Sequence, residues 1–386
     1  MSKSFEVKVE PSVLQWLRAS SGWTPTEVSK KMGVQETTYQ EIERGERKPT
    51  FKQVEVLAKA FRRPVAAFLL PTPPQEPSLP ADFRLIPIEK KEFSRKMRRV
   101  FRRARWLQEL SGELMGNLSL NIEPNIAKAS LSANPVELAS SERLASGITL
   151  ETQMKWKNSY EAFAAWRDYL EKKNIRTFQI SMPIDEARGF ALTDKKPYLI
   201  VVNTADDINA RIFTFFHEYG HILLSETSVC IPEFELSKDS TKINLIESWC
   251  NRFAAEFILP KEVKQRLAND ENRGNLGKLL NKYSSHLKVS KYALLVKMRE
   301  FGLVKDAELT DFVKKVRVAN VKKGGFGRGL TQLQRCKQER GENYVSMVLE
   351  NLDRGFINTR DALDYLSIRM KYLDSLRSRQ RGGKNV

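Results

Sequence analysis

Three histidines occur in the whole chain, and two of them stand four residues apart in His217–Glu218–Tyr219–Gly220–His221. On an α-helix that spacing is one turn, so both imidazoles share a face and can reach one cation, with Glu218 beside them. The flanking Ile212, Phe213, Phe216, Leu223 and Leu224 require the rest of the helix to be buried. The fold must therefore enclose a helix on most of its surface and leave one polar stripe for chemistry. In a chain this poor in histidine the pattern arises by chance only about once in several hundred sequences.

A catalytic zinc wants three protein ligands and an open fourth position. The third histidine, His286, is distant in sequence, so a carboxylate is expected. Glu247 opens the run ESWCNRFAAEF, with Asn251 one helical turn further on the same face. This spacing favours Glu247 as ligand, with Asn251 orienting a ligating imidazole. Glu256 is the competing carboxylate, nine residues on and on a different face of the helix. Cys230 or Cys250 could instead close a purely structural zinc site, but such a site has no need of Glu218.

The first 70 residues carry a second set of signals. In TPTE (24–27), Thr24 can cap free amides, Pro25 suits the first helical position and Glu27 completes a capping box. Gly33 ends that helix and a second, 35–45, follows almost at once and ends at Gly45. Leu14, Leu17, Val28, Met32, Val34, Tyr39, Ile42, Val54, Leu57 and Phe61 supply a small shared core. Two short helices joined by a tight glycine turn form the helix-turn-helix pattern, in which the second helix lies in the major groove.

A net charge of +18 agrees with a polyanionic partner such as double-stranded DNA. No apolar run approaches the roughly 20 residues that span a bilayer, so no membrane partner is expected. Three widely spaced cysteines argue against a disulfide framework and fit a reducing, cytoplasmic setting.

Five prolines in PTPPQEPSLP mark a linker over 71–84, between a domain at 1–70 and a helical connector at 85–150. The connector begins with nine Lys/Arg between Lys90 and Arg105, read as a solvated cationic face, with an auxiliary DNA or acidic-partner contact as the lesser alternative. Residues 151–304 hold the expected zinc domain. There 151–173 reads as one amphipathic helix, 175–181, 188–194 and 198–203 as strands, and 209–224 and 243–259 as helices. Residues 305–386 read as helical, broken by the basic KKGGFGRG at 322–329. The fold class is thus mainly α with a small mixed sheet (α+β): an all-α N-terminal domain, a zincin-like centre and a helical C-terminal region.

The segment TPTEVSKKMGVQETTYQEIERGERKPTFKQVEVLAKAF resembles the Xre/lambda-repressor-like family. That resemblance implies that Glu36, Thr37, Thr38 and Gln40 face base edges and that Arg44, Arg47 and Lys48 lie near phosphates. Pro25 departs from it, standing where many relatives carry a glutamine that positions the DNA backbone. Roughly 150–300, through WRDYLEKKNIRTFQ, PYLIVVN, RIFTFFHEYGHILL and IESWCNRFAAEFILP, resembles the ImmA/IrrE metallopeptidases. This second resemblance implies a zinc endopeptidase with His217, His221 and Glu247 as ligands and Glu218 as general base, acting on a partner helix-turn-helix repressor. The substrate peptide is expected to pair with the sheet along 188–194, and Tyr219, Arg211 and Tyr292 are candidates to stabilise the oxyanion. Proteins of this fused architecture also resemble antitoxins, for which DNA binding and neutralisation of a cognate toxin would matter more than proteolysis. Operator, substrate, trigger and oligomeric state are not legible, and a homodimer is one option left open.

Overall fold

The computed structural model describes residues 5–74, 93–225, 228–230, 241–310, 312 and 330–382, with the backbone alone at 228–230, 241–243 and 379–382. Linker residues from 75 on, the first lysines of the basic helix, the 322–329 patch and the last four residues lie outside this set. Among the described residues no helix is long and apolar enough to cross a membrane. The chain divides into two compact units, one of residues 1–80 and 88–103, the other of 81–87 and 104–386.

The first unit holds α1 (Pro11–Ser20), α2 (Pro25–Met32), α3 (Glu36–Arg44), α4 (Phe51–Phe61) and a 3-10 turn at Val65–Leu69. Thr24 and Glu27 form the expected capping box, and Gly33 takes the left-handed conformation (φ +72°) that turns the chain from α2 into α3. Thr50 and Gln53 repeat the capping box at α4. Val13, Leu14, Leu17, Val28, Tyr39, Ile42, Val54, Leu57, Phe61 and Phe68 form the core.

α5 (Arg95–Asn117) gives its residues up to Arg103 to this unit. Here the sequence expectation needs correction, because the cations at its start are not simply a solvated face. Arg98 donates to the Ala19 carbonyl (3.2 Å), Arg95 to Gly22 (3.0 Å) and Arg102 to Phe61 (3.3 Å). Guanidinium groups at the carbonyl ends of α1 and α4 satisfy groups the helices leave open and complement their dipoles. Arg95 also stacks on Trp23, 4.0 Å from its ring centre.

In the second unit, the stretch 151–173 is two helices, α7 (Leu150–Lys155) and α8 (Ser159–Lys172), preceded by α6 (Pro135–Ala145). The break falls where Trp156 turns to extended backbone and the Asn158 side chain accepts from the amides of Tyr160 and Glu161, starting a new helix. Four strands follow, interleaved with a helix: β1 (Arg176–Ile180), β2 (Gly189–Leu192), β3 (Leu199–Asn203) and, after α9 (Ile208–Leu223), β4 (Ser228–Cys230). Their order is β1-β3-β2-β4, with β1 parallel to β3 and β2 antiparallel to both its neighbours. β4 had no counterpart in the sequence reading.

α10 (Thr241–Ile258) lies against α9, and α6 against α10. Phe216 of α9 stacks on Phe257 of α10 at 4.1 Å, with Trp166 edge-on to both. α11 (Glu262–Ala268), α12 (Leu276–Leu287) and α13 (Lys291–Glu300) follow, their Val263, Leu267, Leu279, Leu280, Leu294 and Leu295 extending the same core. The C-terminal helices are α14 (Gln332–Arg340), α15 (Glu342–Asp353), α16 (Thr359–Leu366) and α17 (Leu373–Gly382). They cover β1: Gln179 donates to the Gln338 carbonyl at 2.6 Å, and Phe178 meets Tyr344 edge-on at 5.0 Å. That cover explains why β1, although an outer strand, has four of its five residues buried.

Candidate metal centre and nucleic-acid interface

Two glycines set the spacing around α9. A Cβ added at Gly220 would stand 3.2–3.3 Å from Cys250, so the glycine inside the histidine motif lets α10 approach closely. A Cβ at Gly189 of β2 would meet Thr214 Cγ2 at 2.6 Å, the Val201 carbonyl at 2.8 Å and Glu218 Cγ at 3.6 Å. Only a bare backbone fits between α9 and the sheet at this point.

With α9 and α10 held so, His217 Nε2 lies 3.1 Å from His221 Nε2 and 3.2 Å from Glu247 Oε2, and His221 Nε2 lies 3.4 Å from Glu247 Oε1. One ligand atom from each of the three residues falls within 4.8 Å of the others. A tetrahedral zinc with bonds of about 2.0–2.2 Å holds its ligand atoms roughly 3.3–3.6 Å apart. The residues fit such an ion in donor type and in spacing. His217 Nδ1 is 2.9 Å from Asn251 Oδ1, an arrangement in which Nδ1–H donates to the amide oxygen and leaves the Nε2 lone pair toward the cluster. Among the described residues His221 Nδ1 has no hydrogen-bond partner.

The charges are coupled. Burial pulls the His217 pKa down, but the Glu247 carboxylate outweighs it and pushes the value up to about 9. Burial likewise favours a neutral Glu247, yet the two histidines hold its pKa far below the usual carboxylate range. A cation must displace the proton this pair would otherwise share. Glu218, next to His217 in sequence, is buried against Gly189 and is not part of the three-residue cluster.

Other candidates are engaged elsewhere. Glu256, the alternative ligand, forms a buried ion pair with Lys297 (2.8 Å) and accepts from the Lys261 amide. Cys250 packs on Gly220, and the side chain of Cys230 lies outside the described residues. Of the oxyanion candidates, Tyr219 donates to Glu142 at 2.6 Å, and Arg211 is spent on Gln179 and the Asp206 and Thr204 carbonyls. Tyr292 is partly exposed on α13. The expected peptide edge at 188–194 is also corrected, because β2 is paired on both sides, by β3 and by β4. The sequence reading missed Glu142, the acceptor for both Tyr169 and Tyr219. It also missed the close approach at Gly189, whose only sequence signal is a glycine inside a strand.

In the first unit, α3 exposes Thr37 and half-buries Glu36, Thr38 and Gln40, with Gln40 Nε2 3.5 Å from Glu36 Oε1. Tyr39, Ile42 and Glu43 face inward, where Glu43 accepts from Arg18 and from the Tyr39 hydroxyl. Arg44, Arg47 and Lys48 are exposed beyond the helix end, Arg44 making a two-point pair with Glu46.

Residues 14–68 match the helix-turn-helix family, and residues 170–299 match the family of the IrrE N-terminal-like domain. No curated protein matches the chain. The chain therefore joins an Xre-type helix-turn-helix DNA-binding domain to an IrrE N-terminal-like domain of the M78 metallopeptidase class.

Proposed function

We propose that the chain is a DNA-binding regulator whose second half is a zinc-dependent endopeptidase that cleaves a partner regulatory protein, itself a helix-turn-helix repressor. The observation that carries this reading is a carboxylate, Glu218, set beside a convergent His217, His221 and Glu247 cluster but outside it. A structural site closes its fourth position with another Cys or His, and no such residue joins the cluster among the described residues.

Zinc held by His217, His221 and Glu247 supplies Lewis acidity, polarising a peptide carbonyl and acidifying water. Glu218 takes the proton from the attacking water and delivers it to the departing amine nitrogen. Asn251 fixes the His217 ring, and the surrounding apolar core limits water access, which strengthens each charge interaction.

The test compares wild type with Glu218→Gln in cells that carry the neighbouring gene. Glu218→Gln is expected to retain one zinc per chain and its fold while the neighbour's product stays full length and the regulated promoter stays silent. Equal behaviour of the two chains under every inducing condition would remove proteolysis as the biological role and favour the antitoxin reading.

A further inference from the structure

The outer edge of β2 meets the reactive face of α9 at Gly189, which stands against Thr214 and Glu218. The backbone groups along that edge are taken by β4 in antiparallel register, Gly189 opposite Cys230, Phe190 opposite Val229 and Ala191 opposite Ser228. Extended polypeptides bind sheets by adding a strand at an edge, lying about 4.8 Å from the strand they pair with. A strand in the β4 position thus passes Glu218 at the residue opposite Gly189.

We infer that this edge is the peptide-binding subsite, that its ligand is an extended polypeptide strand recognised through its backbone, and that Ser228–Cys230 is a resident occupant which the peptide replaces. The purpose of the subsite rests on the peptidase reading, but its geometry does not. β4 makes three residue pairings, against four between β2 and β3 and five between β1 and β3, and has nothing on its far side in the sheet order. It is the most weakly held strand of the four, and so short an edge strand is marginal by itself. Gly189 offers an incoming strand no side chain to read, so recognition there falls to main-chain hydrogen bonds. A ligand with proline at the paired positions binds poorly, because it lacks the donor. While β4 holds the edge, apparent peptide affinity is reduced by the fraction of chains in which the edge is open.

The experiment uses the full-length, zinc-loaded chain carrying Glu218→Gln, so that binding is read without cleavage. The probe is fluorescein-labelled, reduced and carboxymethylated α-lactalbumin, an unfolded polypeptide, followed by anisotropy. Adding Val229→Pro removes a β4 donor and is expected to tighten probe binding about tenfold, the gain that follows when the open state is a minor one. A second chain with Ala191→Cys and Ser228→Cys, directly opposed across the two strands, is expected to bind about tenfold more weakly when oxidised than when reduced. Equal affinities in both comparisons would overturn the inference. If Val229→Pro loses zinc or helical content, the oxidised and reduced comparison decides alone. With Glu218 restored, a Val229→Pro chain that binds the probe tightly but never cuts it would overturn the peptidase reading and leave the edge assignment standing.

Discussion

Glu247 and Glu256 occupy the same helix and would titrate alike in water, but their surroundings give them different work. Glu247 faces two imidazoles, whereas Glu256 is locked to Lys297. Glu247→Ala is therefore expected to lose zinc, measured as metal per chain. Glu256→Ala should keep the zinc and lose roughly 3 kcal/mol of stability, since removing one partner strands a buried charge. Glu142 carries a pH dependence. Burial opposes its ionisation, but the Tyr169 and Tyr219 hydroxyls and the Lys173 ammonium outweigh it and hold its pKa below the ordinary 4.5. A lowered folded-state pKa means the stabilisation is present above pH 4.5 and is lost as pH falls below it. Urea midpoints of the wild type should thus fall more steeply below about pH 4.5 than those of Glu142→Gln, and parallel curves would deny Glu142 this part.

At the level of elements, the metal cluster depends on how closely two helices approach. Gly220 against Cys250 sets the distance between α9, which bears both histidines, and α10, which bears Glu247. Gly220→Val is expected to cost about 1–3 kcal/mol by overpacking and to weaken zinc binding by moving Glu247 away, read from competition with a chelator. A variant with the stability loss but undiminished zinc affinity would show that α10 yields without carrying Glu247 with it. The helical periods of α9 and α10 were legible in the sequence because each has a long apolar face. The break between α7 and α8 was not, since Asn158 starts a helix through a side-chain bond that hydrophobic period does not register. β4 escaped notice because three residues carry too little pattern.

At the scale of the molecule, the helix-turn-helix core and the metal cluster fall in separate compact units. His217→Ala should therefore shift DNA as the wild type does, while Lys48→Ala or Arg47→Ala should weaken binding to every sequence. The slope of log affinity against log salt should become shallower by about one for each phosphate left without its cation. Gel shifts across a salt series check both, and an unchanged slope would place these cations away from the phosphates.

Spacing determined much of this protein by itself. A helix fixes which residues share a face, so the His217–His221 turn, the Glu247–Asn251 turn and the capped pair α2–α3 could be read from local order alone. The tertiary structure decided what local order does not encode. It chose Glu247 over Glu256, turned Arg95, Arg98 and Arg102 onto the carbonyl ends of α1 and α4, and joined Tyr219 to Glu142. It also brought β4 onto the edge of β2. Each of these joins residues far apart in sequence, and their partners are set by packing and by the need to satisfy buried polar groups, which no single segment can specify.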